Sequence, residues 1–496
     1  MLFNVNRFHF FVMLAWQFSI FFGSQMLFPI FSNYIPKYRC LDEESDAVFH
    51  KNCSLYLKCN GTIDFENNYF HSSAMHFDWI CGPKAYLAPV YSKVQFFGVL
   101  IGTIMFGALS DRFGRRPISL IVLTTGILVC SLSGMVPYWH LLLACRFVIG
   151  LSIGGVLVVV CTFVMEMLLP EQRMALRAFF NWGVGRLLLT LICYFFNDWQ
   201  SASIACAVAS LPALLIVFFV FPESPTWLKN QGRIEEMHNS ERKIAKFAGL
   251  KYVEKEYEPP VKSRGLMSLL REGDFLRRVS VLWAMWFTAS LCGYAIDLHS
   301  SDLSGNLYFN QVLFSVIIAV SKMVLVLYDT LNTNFSRRKL HQQSQSMVII
   351  CFLILTLLTL FASTYEGVFI LIVNLIGIVF IEYTWDACYL CAVESMPTNM
   401  RAISVGTCSF MARVGALLAP SLAFLNRFWA PSAYMTVVVL GIVNVCISYA
   451  WLVETKGVVL DDVKIKDEDE LNKKTVTNGE LIKIVSKEEE DRLTVE

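Results

Sequence analysis

Charge is scarce in this chain. Only 16% of its 496 residues are Asp, Glu, Lys or Arg, and the two signs nearly cancel at a net +1. No lopsided basic patch exists, which removes nucleic acid as an expected partner. Also missing are a phosphate-cradling Walker loop, a nucleophile elbow and a Cys/His set at metal-ligand spacing; the histidines are scattered singly. These absences exclude the common enzyme classes and any ATP-driven motor. No cofactor is expected.

What fills the space is apolar. Hydrophobic residues make up 55% of the chain, and the mean hydropathy is +0.53. Stretches of about twenty residues, enough to cross the hydrocarbon core, recur at roughly 8–31, 89–110, 118–136, 140–165, 176–196, 202–221, 279–299, 306–329, 347–364, 367–393, 402–424 and 431–453. The first is too long for a cleaved signal and lacks a small-residue exit site. Lys and Arg gather after span two (Arg112, Arg115, Arg116), in the loop after span six, and after span eight (Arg337, Arg338, Lys339). The turns after spans three, five, seven and nine have neither. The bias predicts that both termini are cytoplasmic.

The charges that remain come in repeated groups. Asp111-Arg112-Phe113-Gly114-Arg115-Arg116 closes one apolar stretch; Asp329, then Ser336-Arg337-Arg338-Lys339, closes another. Glu166…Pro170…Arg173 is answered by Glu394…Pro397…Arg401, and Pro222-Glu223-Ser224-Pro225 by Val453-Glu454-Thr455-Lys456-Gly457. Three marks in one order in each half indicate a duplicated six-helix unit, as in carriers built from parallel repeats around a central cavity. At helix ends such ionic groups would serve as breakable gates: Asp111 meeting basic residues across the cytoplasmic interface, Arg115 and Arg116 meeting acids such as Glu166 or Glu223.

This divides the chain into a first half, 1–221, with a large outer loop at 32–84; a central cytoplasmic loop, 222–277, read as solvated amphipathic helices; a second half, 278–455; and a charged tail, 456–496, expected to be disordered. The outer loop holds Cys40, Cys53, Cys59 and Cys81, which read as two disulfides of undetermined pairing. The other cysteines read as small buried hydrophobes. Asn60-Gly61-Thr62 and Asn52-Cys53-Ser54 are glycan acceptor patterns on the predicted outer side; Asn334-Phe335-Ser336 fits the pattern on the wrong side.

Several runs resemble one family: the organic cation, anion and carnitine transporters of the major facilitator superfamily. Ile35-Pro36…Cys40 and Phe77-Asp78-Trp79-Ile80-Cys81 are similar to the borders of its outer loop, and Phe221 to Leu228 followed by Gly232-Arg233-Ile234-Glu235-Glu236 to its central loop. Most specific are Glu394-Ser-Met-Pro397-Thr-Asn-Met-Arg401 and Val405-Gly-Thr-Cys-Ser409-Phe-Met-Ala-Arg413-Val-Gly415. The resemblance implies an all-α membrane protein with the major facilitator fold, 12 transmembrane helices in two six-helix halves. It implies plasma-membrane transport of small organic ions, closest to the anion branch, by alternating access as exchanger or facilitator. A carnitine-like zwitterion or an organic cation remains an alternative cargo, and a transporter-like sensor or partner subunit an alternative of another class. The chain departs from the family in its short amino terminus and in the longer, glycine-free Asp329–Arg337 segment.

Ionisable residues deep in spans are costly and mark candidate sites. Arg413 in span eleven offers a flat bidentate fork to a carboxylate or sulfate; by resemblance, anion and carnitine carriers have Arg here and cation carriers Asp. Lys322 in span eight is similar to a lysine of the anion carriers. Asp329, seven residues on, is about 10 Å along the axis from it. Arg186 in span five would either contact the far end of a dianionic substrate or pair with an acid. Glu382 and Asp386, at i and i+4 in span ten, share one helix face; they would couple transport to a proton or pair with Arg413 or Lys322 in the empty cavity. Tyr294 is similar to an aromatic substrate contact of the family. Arg146, with Gly150 and Gly154 in span four, reads as structural close packing. Expected partners are a small organic ion, the lipid bilayer, and a counter-ion or proton.

Overall fold

The computed structural model describes residues 6–41, 49–51, 53–59, 62–66, 69–168, 170–254, 273–303, 305–332, 335–361, 367–396, 398–426 and 429–454. Asn52, Asn60, Asn334, Pro397, much of the central loop and the tail after Glu454 lie outside them.

Among the described residues, eleven helices are long and apolar enough to cross a membrane, and a shorter apolar helix, Trp182–Phe195, supplies the fifth crossing. In chain order the crossings begin with span one, Arg7–Gly23, prolonged by a turn at Ser24–Leu27 and by Pro29–Ser32. Spans two and three are Leu87–Phe113 and Arg115–Ser133. Span four runs from Trp139–Gly155 through a wide π turn, Val156–Val160, to Cys161–Glu166. Span five combines Pro170–Phe179 with Trp182–Phe195, and span six is Trp199–Phe219. Spans seven to twelve are Gly273–His299, Leu307–Leu331, Arg337–Phe361, Gly367–Glu394, Thr398–Leu425 and Ser432–Trp451.

The break in span five has a local cause. Asn181 accepts from the Val184 amide as a helix cap, and the Phe180 carbonyl next to it accepts from the Trp16 indole at 2.7 Å. Two of the backbone groups freed at the break thus find side chains, as an apolar interior requires. Spans two and four approach until their glycines touch backbone: a Cβ at Gly98 would lie 2.3 Å from the Phe147 carbonyl, and one at Gly150 2.1 Å from that of Gln95. No larger residue fits this seam.

Span nine begins about ten residues before the hydropathy reading places it. Its first turns, Arg337 to Ser346, are polar, yet His341, Gln342, Ser344 and Gln345 are buried. His341 Nδ1 lies 3.0 Å from Ser448 Oγ, and Asn444 donates to Gln345, both across to span twelve. A polar helix face that bonds to a polar face escapes a hydropathy window.

On one face of the bundle, called here the loop face, the segment between spans one and two folds into a small disulfide-laced unit. Strands Tyr38–Cys40 and Ile63–Phe65 pair antiparallel, with Cys40 opposite Ile63. The disulfides join Cys40 to Cys59 and Cys53 to Cys81. The opposite end, the cluster face, carries the repeated charges and helices Pro225–Asn230 and Ile234–Ala248.

Candidate functional site

Between the halves lies a cavity of about 230 Å³. Leu157 and Trp182 line it from the first half; Gly293, Tyr294, Asp297, Ile378, Ile381, Glu382, Trp385 and Arg413 line it from the second. Leu157 sits in the π turn of span four. Such turns shift the helical face locally and recur at functional sites; the apolar run Val156–Val160 held no sign of one.

Of the six residues that sequence reasoning assigned to substrate, Tyr294, Glu382 and Arg413 line this cavity. Lys322 stands just behind Glu382. Its ammonium is 2.9 Å from the Glu382 carboxylate and 2.7 Å from that of Asp386, so the i, i+4 acids close on one cation. Tyr294 directs its hydroxyl to Met26 Sδ at 3.6 Å and its ring to Phe96 at 5.2 Å, joining spans one, two and seven. Arg413 makes no ion pair among the described residues, and its buried Nε has no hydrogen-bond partner there. Among the described residues it is a cavity cation with no carboxylate against it.

Arg186 is held differently. Its Nη1 donates to Asp297 at 2.5 Å and its Nη2 to Gln311 at 2.6 Å, both in the second half. Of the two sequence alternatives, this geometry is the pairing with an acid. Asp297 and Gln311 were missed by sequence reasoning. Asp297 looks like a terminal charge two residues from the end of span seven. A lone arginine inside span five was the only signal that a buried acid had to exist.

The cluster face contains two versions of one arrangement. In the first half, Arg115 contacts Asp111 at 2.6 Å and Glu166 at 3.5 Å. Glu223 accepts from the Arg115 and Arg116 amides at 2.9 and 3.1 Å, and Arg116 Nη2 donates to the Phe218 carbonyl. In the second half, Arg337 contacts Asp329 at 2.6 Å and Glu394 at 3.2 Å. Glu454 accepts from the Arg337 amide and from Ser336 Oγ, and Arg338 Nη2 donates to the Tyr449 carbonyl. Arg173 and Arg401 donate to the Leu168 and Met396 carbonyls, each five residues back.

Two expectations need correction here. Asp111 does not reach across the interface: it bonds Arg115 of its own half and is 71% exposed. The Arg116 side chain meets a carbonyl rather than an acid; only its amide meets Glu223. Span two ends at Phe113 and span three starts at Arg115, and the positive φ of Gly114 (109°) between them folds Arg115 back beside Asp111.

A larger open cavity of about 980 Å³ lies at the loop face, lined by Tyr34, Tyr69, His299 and Asn426 among others. Of its charged groups, Lys37 and Glu66 form a loose surface pair at 3.7 Å. The buried charge lies in the smaller cavity.

With this geometry in view, comparisons with known proteins decide the family. The family model for "sugar (and other) transporter" covers residues 62–466. The chain belongs to that family. An uncharacterised protein of Caenorhabditis elegans is 36% identical over 484 residues, covering 92% of this chain and 94% of its own. An organic cation transporter-like protein of Drosophila melanogaster is 27% identical over 408 residues (75% and 68% of the two chains), and solute carrier family 22 member 7 of Rattus norvegicus 27% over 391 residues (76% and 71%). In fold, the chain is similar to the xylose transporter XylE of E. coli in a partially occluded inward-open conformation. The TM-score is 0.63, with 14% identity, over 91% of this chain and 100% of that one. This family member is therefore a multi-pass membrane transporter with the major facilitator fold, and not an enzyme.

Proposed function

We propose that this transporter carries small amphipathic organic anions across the plasma membrane by alternating access, as an exchanger or facilitator, with the loop face outside and both termini in the cytoplasm. One observation carries the reading. Among the described residues Arg413 faces the central cavity with no carboxylate against it, whereas Lys322 and Arg186 are each met by acids. A guanidinium stays charged at any physiological pH, and in a low-dielectric cavity it favours a carboxylate or sulfate that can take both of its forks. Tyr294, Trp182 and Trp385 give the apolar part of such an ion flat surfaces to lie on. Glycans at Asn60 and Asn52 belong to the same reading, as does a seat on the anion branch of the family.

A second reading has its own support. Lys322 is met by two carboxylates, one more than its charge offsets, and Glu382 opens on the cavity. A zwitterion with its anion on Arg413 and its cation near Glu382 would use that surplus, and so would a coupling proton. Uptake of labelled urate, a dicarboxylate, a sulfated steroid, carnitine and tetraethylammonium in expressing cells separates these cargoes. Anion uptake alone supports the main reading, and carnitine uptake alone the second. Tetraethylammonium uptake alone overturns both. A pH–uptake curve for wild type, Glu382→Gln and Asp386→Asn tests the proton; a flat wild-type curve ends it.

A further inference from the structure

Arg186 is 1% exposed, and its charged end is gripped by the opposite half. Asp297 and Gln311 take its two terminal nitrogens, and the Phe314 ring lies 5.3 Å from the guanidinium carbon. Gln311 donates onward to Ser300 Oγ at 2.8 Å, which donates to the Asp297 carbonyl at 2.6 Å. The result is a closed ring joining spans five, seven and eight. Next to it the halves touch without room to spare: a Cβ at Gly183 would lie 2.6 Å from the Ala319 amide. Further toward the loop face, the Tyr308 hydroxyl lies 2.8 Å from both the Tyr69 and the Cys193 carbonyls, which share its one proton. Asp297 itself lines the central cavity. The ring therefore stands between that cavity and the loop face.

Opening the loop face requires spans seven and eight to leave span five. Asp297, Gln311 and Phe314 then depart together, and the Arg186 head is bared on the first half. Among the described residues no first-half acid pairs with Arg186: its Nε has no partner, and Thr190 on its own helix bonds its backbone carbonyl. A fixed cation bared in a membrane crevice takes an anion from the water that enters.

We propose that Asp297 is a tethered stand-in for the substrate's anionic group. It holds Arg186 while the loop face is shut and gives Arg186 up to an incoming organic anion when that face opens. The anion's identity rests on the function proposed above; the latch does not. Asp297 is thus a positioning residue whose competition sets how readily the outer side opens and how tightly an outside anion is held.

The latch is read without substrate. Ile378, buried on the cavity wall, becomes a reporter as Ile378→Cys, labelled from outside by a membrane-impermeant thiol reagent, with the parent protein as control for the native cysteines. Asp297→Asn keeps the shape and removes the charge; it should speed labelling about fivefold or more by shifting the population toward the outward-open state. Exchanging the charges, Arg186→Asp with Asp297→Arg, should return the rate to within about twofold of the reporter parent. A rate unchanged by Asp297→Asn at normal surface level overturns the latch. Should that variant fail to reach the surface, Gln311→Leu decides: it removes one bond of the ring and should move the rate the same way by less, and no change there overturns the proposal. The anion arm uses labelled substrate: Arg186→Ala should raise KM for outside anion more than it lowers maximal rate. If labelling follows expectation but no anion in the panel is carried, the latch stands and the substrate reading falls.

Discussion

Arg115 and Arg337 are the same residue twice over. Each bonds an acid at the end of the preceding span, Asp111 or Asp329, at 2.6 Å, and an acid at the end of a second span, Glu166 or Glu394, while its own amide is capped by a third, Glu223 or Glu454. Among the described residues each arginine's bonds stay on its own side, so these contacts tie helix ends within a half.

The two versions differ in exposure, and that yields a first prediction. Asp111 is 71% exposed and Asp329 13%. An exposed pair is worth at most about 1 kcal/mol. Leaving a buried arginine with no partner costs about 3–5 kcal/mol; Arg337 keeps Glu394 at 3.2 Å, so losing Asp329 costs only part of that. Asp329→Asn should therefore cut surface expression and exchange more than Asp111→Asn does. Cell-surface biotinylation with an exchange assay checks this, and equal losses would contradict it.

Arg413→Ala should abolish or strongly weaken anion uptake while surface expression stays normal, because no ion pair is lost with it. A loss of about 1.5–3 kcal/mol from a charged hydrogen bond corresponds to roughly tenfold or more in affinity. Full-affinity uptake by the variant, measured as concentration dependence, would make Arg413 structural.

The acids of span ten should be mutually redundant. Lys322 keeps one carboxylate at under 3 Å after either Glu382→Gln or Asp386→Asn. Each single change should leave surface level near normal, whereas the double change strands a buried ammonium and should remove most of the protein from the surface. The interaction energy from the cycle should reach about 1–3 kcal/mol; additive effects would mean that the two acids act separately.

The loop-face unit should depend on its bridges. Losing a native disulfide from a small unit of this kind costs about 2–5 kcal/mol. Replacing Cys53 and Cys81 together by serine frees the unit from the start of span two and should lower surface expression more than replacing Cys40 and Cys59, which close a loop within the unit. Non-reducing peptide mapping checks the connectivity, and a Cys40–Cys81 linked peptide would refute it.

Much of the fold was readable because hydropathy and repetition are local signals. The duplicated marks, read as strings, reappear as duplicated contacts, down to Arg116 and Arg338 each donating to a carbonyl at the end of spans six and twelve. The reading failed where a side chain's partner is remote or polar. Span nine was cut short because His341 and Gln345 look like loop residues until Ser448 and Asn444 are set against them. Arg186 stayed ambiguous because Asp297 is 111 residues away. Asp111 reads as a gate that reaches across the interface, but its partner is Arg115, four residues on, folded back past the break at Gly114.

The self-contained clusters bear on how such a chain can change over time. Among the described residues, four helix ends in each half are fastened by groups of the same half or, for Glu223, of the segment that directly follows it. A recombination that joins one half to the counterpart of a relative would carry its knot along intact. The cavity would not survive so well, since Leu157 and Trp182 come from one half and Arg413, Glu382 and Asp297 from the other. Cargo preference is thus the property most exposed to such shuffling, and the architecture the least.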